Sequence, residues 1–244
     1  MRPTVAIPIA LGVSLLATSG RAETACSHCE HESMIFWGAG GEVDIADETW
    51  LSNETVTLVT WDSFAWVGDD DLKLRFEYEG EAHGSEKERE EFRALLSWNV
   101  SEFWDLQTGV RQDLSGDERT WAAFGLHGMI PYFIESSAFV YLDQDTNVSF
   151  RLEQDIDFAV TQEIFLKPHI ELNAYAQDID ADGVGAGLAT IEVGLQLRYE
   201  FTRKFAPYID VVYERDLGET STLTQSRGED PERATIRAGL MFRL

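Results

Sequence analysis

Apolar residues recur at every second position from about residue 54 onward, rather than at every third or fourth. Alternation with this period is typical of β-strands whose two faces meet different surroundings. Residues 148–158 show the pattern well, because Val148, Phe150 and Leu152 share one face while polar and charged residues occupy the other. The chain is therefore predicted to consist of strands that each have one apolar and one charged face.

The predicted strands are about twelve in number, and the connections between them alternate in length. The turns at one end are tight, and most loops at the other end are longer and polar. The connections at residues 114–118 and 143–146 are of intermediate length. This alternation with an even strand number predicts an all-β fold, a transmembrane antiparallel up-and-down β-barrel with both termini in the periplasm. The strands are predicted near residues 37–45, 55–67, 72–80, 92–100, 105–113, 119–129, 132–142, 147–158, 163–176, 189–201, 205–216 and 233–244.

A soluble β-sandwich is the alternative, because its charged face would simply be in contact with solvent. Aromatic residues favour the barrel, since they cluster beside the predicted tight turns. Rings at one level suit the girdle at a membrane–water interface, whereas a sandwich core has no need of them at one end of nearly every strand. These residues are Trp66, Phe103, Trp104, Tyr132, Phe133, Phe201 and Phe205.

The N-terminal segment has the features of a secretory signal peptide. Arg2 precedes an apolar run from Val5 to Leu16, and the small residues Gly20 and Ala22 stand before the expected cleavage site. A membrane anchor is less favoured, because the run is shorter than the roughly 20 residues that span a bilayer as a helix. The predicted division of the chain is a signal peptide at 1–22, a flexible periplasmic leader with a possible first strand at 23–53, and the outer-membrane barrel at 54–244.

The chain is strongly acidic, with 44 Asp and Glu against 19 Lys and Arg and a formal net charge of −25. Nucleic acid is a poor partner for such a chain, and cations are natural partners. Acidic loops of outer-membrane proteins serve solvation as well, so the charge alone favours a metal only weakly. No nucleophile, base and orienting group stand together in the sequence, and catalysis is not expected.

Several stretches of the predicted barrel resemble the copper resistance protein B family. The resemblance covers about residues 54–244 and implies an outer-membrane barrel that binds or moves copper together with periplasmic copper carriers. Members of the family often have a Met- and His-rich segment after the signal peptide, and this chain departs from them there. The matching stretches are WDSFAWVG at 61–68, FWDLQ at 103–107, GVR at 109–111 and LQLRYEFTRKFAPYIDVVYER at 195–215.

The leader contains soft metal ligands in place of that segment. Thiols and imidazoles favour Cu(I) or Zn(II) over hard cations, so copper at this site is predicted as Cu(I) in preference to Cu(II). As an alternative, the two cysteines form a disulfide in the oxidising periplasm and have no metal role. The candidate ligands are Cys26, His28, Cys29, His31 and Met34.

Two further candidate sites lie on predicted strands, among the five histidines and four methionines of the chain. His169 and Glu171 share a charged face and are the preferred interior pair. Met241 is also predicted to face the lumen, because it alternates in phase with two arginines. A histidine in a barrel lumen is, however, more often part of a hydrogen-bonded charge network than a metal ligand.

His127 and Met129 form the other candidate pair, since residues two apart on a strand point to the same face. The apolar residues Trp121 and Ala123 share this face, so its assignment to lumen or lipid remains open. Charged residues of both signs on the lumen faces of other strands are expected to pair across the barrel, which leaves a narrow path or none.

The sequence thus predicts a copper-binding barrel of the outer membrane that sequesters or translocates copper ions in copper resistance. Its predicted partners are copper ions, outer-membrane lipid and a periplasmic copper-carrier protein. Two alternatives have no metal role. One is a porin for small solutes, and the other is a structural barrel to which a periplasmic copper protein docks.

Overall fold

The computed structural model describes residues 34–47, 57–84, 86–116, 118–179 and 182–244. These residues form thirteen β-strands and one α-helix. The elements are β1 (Phe36–Asp47), β2 (Thr57–Gly68), β3 (Leu72–His83), β4 (Glu86–Ser101), β5 (Trp104–Asp113), β6 (Arg119–Ile130), β7 (Ile134–Asp143), β8 (Val148–Asp155), β9 (Phe158–Ala159), β10 (Ile164–Tyr175), β11 (Gly187–Tyr199), β12 (Phe205–Asp216), α1 (Gly218–Ser226) and β13 (Glu232–Arg243).

The sheet closes on itself. Neighbouring strands pair antiparallel, and β13 pairs with β1 to complete the barrel. β8 and β9 both pair with β10, on either side of a break at Ile156 and Asp157, so they are two parts of one barrel strand. The barrel therefore has twelve strands, and the predicted antiparallel barrel of about this size is confirmed.

Strand β6 shows how the two faces of the barrel wall differ. Trp121 and Ala123 are buried, with 1% and 0% of their surface exposed, whereas Phe124 and Leu126 are 58% and 43% exposed. Exposed apolar side chains on the outside of such a barrel are in contact with lipid. The face that His127 shares with Trp121 is therefore the lumen face, which settles the assignment that the sequence leaves open.

The connections at one end of the barrel are short, as predicted, and this end is termed the tight-turn end. At the other end, one predicted loop is wrong: the predicted strands stop at residue 80 and resume at 92, but β3 runs to His83 and β4 begins at Glu86. Small and polar residues follow one another there, so apolar and polar positions no longer alternate, although the strand pairing continues.

Helix α1 was not predicted, since the connection before β13 contains no helical apolar repeat. Its sequence, GETSTLTQS, is rich in Ser and Thr, which are weak helix formers. Among the described residues, no helix is long and apolar enough to cross a membrane.

The connection between β10 and β11 folds back into the open end of the barrel. Ile179 is 6% exposed and packs with Trp121 and Tyr141 on the lumen side of β6 and β7. Helix α1 holds this segment, because the Gly185 N–H donates a hydrogen bond of 3.0 Å to the Thr220 hydroxyl. An apolar plug thus covers the β6–β7 side of the lumen.

Candidate metal path in the lumen

Opposite charges fill the half of the lumen that β3–β8 mainly surround. Arg151 on β8 reaches across to Glu79 on β3 at 2.8 Å and to Glu91 on β4 at 3.0 Å. Glu91 is 1% exposed and also lies 2.8 Å from Nε of Arg111. This set is termed the arginine–glutamate cluster, and its members are Glu77, Glu79, Arg89, Glu91, Arg93, Arg111, Arg151, Glu153 and Glu171.

Aromatic rings also stabilise the arginines of this cluster. The guanidinium of Arg111 lies 4.9 Å from the ring centroid of Tyr141, and that of Arg93 lies 5.8 Å from the ring centroid of Phe139. A guanidinium over an aromatic face is attracted by the ring quadrupole. The expected pairing of charges across the lumen is therefore confirmed in this half of the barrel.

The other half of the lumen, between β10–β13 and β1–β2, contains an excess of carboxylates. Apart from members of the cluster that reach its edge, seven acidic residues, one arginine, one lysine and one histidine line a cavity of about 260 Å³. The carboxylates are therefore not neutralised one by one as they are in the cluster. The part formed by β1, β2 and β10–β12 is termed the acidic chamber, and its members are Glu42, Asp44, Asp62, His169, Glu192 and Asp210.

His169 lies between two carboxylates of the chamber. Its Nε2 is 3.7 Å from Glu192 and 3.8 Å from Asp210. Gly194 stands opposite on β11, where a Cβ atom would be 2.1 Å from Nε2, so glycine leaves the room that the imidazole needs. Asp210 is 6% exposed, and among the described residues its Oδ1 has no hydrogen-bond partner. An incompletely compensated carboxylate thus faces the imidazole.

Glu171, predicted as the partner of His169, lines the same cavity. Its carboxylate lies 3.7 Å from Arg151, so it belongs to the arginine–glutamate cluster. The neighbours of His169 are Glu192 and Asp210 instead. Alternation does place these two residues on charged faces, but their proximity to His169 depends on the register of three strands, which the sequence does not show.

A second group of ligands lies at the tight-turn end. His127 and Met129 are on the lumen face of β6, and the strand register places Met129 opposite Glu135 on β7. Nε2 of His127 is 3.4 Å from Glu135, and Nδ1 is 2.8 Å from the Ser137 hydroxyl. An imidazole, a thioether and a carboxylate therefore line one cavity of about 280 Å³ at this end of the barrel, where Met129 is 40% exposed.

The remaining predicted ligands are dispersed. Met241 is 1% exposed and packs against Ala206 and Tyr208, while Met34 is 67% exposed before β1. Within the part of the chain that the structure describes, no group of three or more His, Cys, Asp or Glu side chains is arranged to hold a metal ion. The leader ligands Cys26, His28, Cys29 and His31 lie outside the described residues.

The apolar outer face, the charged lumen and the closed antiparallel sheet define the class of this protein, an outer-membrane β-barrel. Among solved structures, one of the NanC porin is similar, with a TM-score of 0.55 and 13% sequence identity. The match covers 86% of this chain and 100% of that chain. At this level of identity the likeness shows the fold alone.

The chain belongs to the copper resistance protein B family, as the resemblance implies. The family model described as "Copper resistance protein B precursor (CopB)" matches residues 43–243. A copper resistance protein B homolog of Pseudomonas syringae pv. tomato is 35% identical over 222 residues, which cover 90% of this chain and 75% of the relative. The copper resistance protein B of Escherichia coli is 35% identical over 214 residues, which cover 87% of this chain and 71% of the relative.

Proposed function

We propose that this protein resides in the outer membrane, binds copper ions in its lumen and passes them across the membrane as part of copper resistance. The acidic chamber is the observation that carries the proposal, because seven acidic residues outside the arginine–glutamate cluster face one arginine and one lysine around its cavity. A lumen lined in this way concentrates cations and repels anions. Membership of the copper resistance protein B family supports copper as the cation.

The ligands of the chamber suit passage better than storage. Imidazole binds copper well, and carboxylates attract the ion. Among the described residues, no three His, Cys, Asp or Glu side chains are arranged to hold a metal, so an ion in the chamber is attracted without being enclosed. Conduction needs binding that is strong enough to admit an ion and weak enough to release it.

The leader extends the proposal into the periplasm. After cleavage of the signal peptide at 1–22, the Cys26–His31 segment captures copper, as Cu(I) in preference to Cu(II), because its thiolates are soft ligands. A periplasmic copper carrier exchanges the ion with this segment. The protein acts by binding and passage, without catalysis.

Copper flux into liposomes that contain the full-length protein tests this function. The double substitution Glu192→Gln and Asp210→Asn is expected to lower the flux about tenfold, equivalent to about 1.4 kcal/mol, because two attracting charges are lost. The control is Glu163→Gln with Glu229→Gln, which removes the same charge at two exposed positions outside the chamber. The control is expected to retain the flux of the unsubstituted protein.

The same assay decides between this function and its rivals. Equal copper flux with and without the chamber carboxylates would contradict transport through the chamber. Passage of sugars as fast as copper would identify a porin for small solutes. A barrel that passes neither, yet retains a periplasmic copper protein in a pull-down, would be a docking barrel.

A further inference from the structure

His127 stands where the cavities of the tight-turn end meet. It lines three cavities, of about 610, 480 and 280 Å³. The 480 Å³ cavity is also lined by Glu42 and Asp62, which belong to the acidic chamber. An ion that moves between the tight-turn end and the chamber therefore has a polar route past this imidazole.

The β6–β7 hairpin presents three different ligand atoms on its lumen face. His127 stands opposite Ser137, and Met129 stands opposite Glu135. The hydrogen bond of 2.8 Å between Nδ1 and the Ser137 hydroxyl orients the ring, while Nε2 lies 3.4 Å from the Glu135 carboxylate. In metal sites, a hydrogen bond to one ring nitrogen commonly orients a histidine whose other ring nitrogen binds the metal ion.

The turn of this hairpin has a strained backbone, and the strand pairing on both sides of it sets the register of the ligands. Tyr132 and Phe133 have φ angles of +74° and +62°, in the left-handed region that bulky residues rarely adopt. Such strain persists where the surrounding structure determines the backbone, and here strand pairing continues as far as Ile130 and Ile134. Met129 and Glu135 are thus held face to face beside the turn.

Two of the cationic side chains that line these cavities are held in ion pairs, and Arg243 lines the 480 Å³ cavity as well. Arg75 lines two of the cavities and is bound to Glu77, and Lys73 lies 3.8 Å from Asp105. The Glu135 side chain is 55% exposed, so a metal ion can reach it from the tight-turn end. The Glu135 carboxylate is therefore accessible to a cation.

We propose that His127, Met129 and Glu135 form a copper-binding site, termed the rim site, at the periplasmic mouth of the barrel. That the metal is copper rests on the proposed function. The three ligands add to that function by giving the protein a selective binding site. A thioether selects soft Cu(I) over Zn(II), Mg(II) and Ca(II), which the oxygen and nitrogen ligands of the acidic chamber do not. The rim site supplies selectivity, and the chamber supplies attraction.

Sulfur coordination gives a sharp test, because the chain has two cysteines and four methionines. In the mature full-length protein, the changes Cys26→Ser, His28→Ala, Cys29→Ser, His31→Ala and Met34→Leu remove the leader ligands. Met129 and Met241 then supply the sulfur that remains. Anaerobic Cu(I) competition against a coloured chelator gives the affinity, and X-ray absorption at the copper edge shows whether sulfur is bound.

In this background Cu(I) is expected to bind with a sulfur ligand. His127→Ala should weaken the affinity at least about 100-fold, because loss of a ligand costs more than loss of an outer-shell partner, which costs about 10–100-fold. Met129→Leu should abolish the sulfur signal. Ser137→Ala should weaken binding about tenfold through loss of ring orientation.

The matched control is His83→Ala, which removes an imidazole at the opposite end of β3 and should leave the Cu(I) affinity unchanged. Heat-modifiable mobility on a gel shows that each variant forms a barrel. Loss of the sulfur signal in Met241→Leu instead of Met129→Leu would overturn the rim site, as would unchanged affinity in His127→Ala.

The rim site and the proposed function can fail separately. If His127→Ala and Met129→Leu leave Cu(I) binding intact while copper flux still depends on Glu192 and Asp210, the rim site is wrong and transport through the chamber stands. If Cu(I) binding depends on His127 and Met129 but the unsubstituted protein passes no copper, the rim site stands and transport is wrong.

Discussion

The arginine–glutamate cluster and the acidic chamber occupy opposite halves of one lumen, and they differ in how closely their carboxylates are paired with cationic side chains. In the cluster, Glu91 is 1% exposed and lies within 3.4 Å of Arg93, Arg111 and Arg151. In the chamber, Glu192 contacts a histidine at 3.7 Å and Arg237 at 4.0 Å, and its side chain is 28% exposed. One half holds its buried charges in close ion pairs, and the other has more carboxylates than cationic partners.

This difference separates the structural part of the lumen from the part that can take up an ion. Buried charges that are held in ion pairs are costly to disturb, and their side chains fill the space that they occupy. The plug formed by Ile179 lies over this half as well. The proposed route for a cation therefore lies through the chamber, where an approaching positive charge improves the electrostatic balance.

The largest effect is expected from Arg151→Met, which removes the guanidinium that spans the cluster. Glu79 and Glu91 would remain buried with less compensation, so the free energy of unfolding should fall by about 3–5 kcal/mol. Urea unfolding of the reconstituted barrel measures this loss. A loss below about 1 kcal/mol, the range of an exposed ion pair, would show that the cluster is not structural.

A smaller effect is expected from Gly194→Ala, which tests the geometry of the chamber. The new Cβ would lie 2.1 Å from Nε2 of His169 and displace the imidazole, at a cost in unfolding free energy of about 1–3 kcal/mol. Copper flux should fall with it. In the His169→Ala background the same substitution should cost clearly less, because the overlap is gone. Equal costs in both backgrounds would show that the imidazole does not occupy this space.

Most of the barrel follows from local pattern, because alternation directly reports which face of a strand meets lipid. The pattern fails where polar residues occupy both faces of a strand, as on either side of the turn between His83 and Glu86. It also fails for α1, whose Ser and Thr residues give no apolar helical repeat. In both places the local sequence lacks the apolar face on which the prediction depends.

The candidate site is less predictable, because its contacts join residues that are distant in sequence. Arg151 and Glu79 are separated by 72 positions, and they meet only because the barrel closes with one register. His169 and Glu171 are two residues apart on one face, yet their closest ion pairs belong to opposite halves of the lumen. The sequence identifies the charged faces, and strand register decides which charges meet.

The smallest effect should come from Glu192→Gln, and it distinguishes the two halves most directly when set beside Glu91→Gln. The substitution is the same, and both carboxylates face the lumen. Glu91→Gln removes one counter-charge from each of three buried guanidinium groups, so its cost should approach that of Arg151→Met. Glu192→Gln removes one of several like charges around His169 and should change the free energy of unfolding by no more than about 1 kcal/mol. Urea unfolding compares the two variants, and a cost for Glu192→Gln equal to that of Glu91→Gln would mean that the chamber carboxylates are as fully committed to the fold as the cluster, leaving no charge to attract copper.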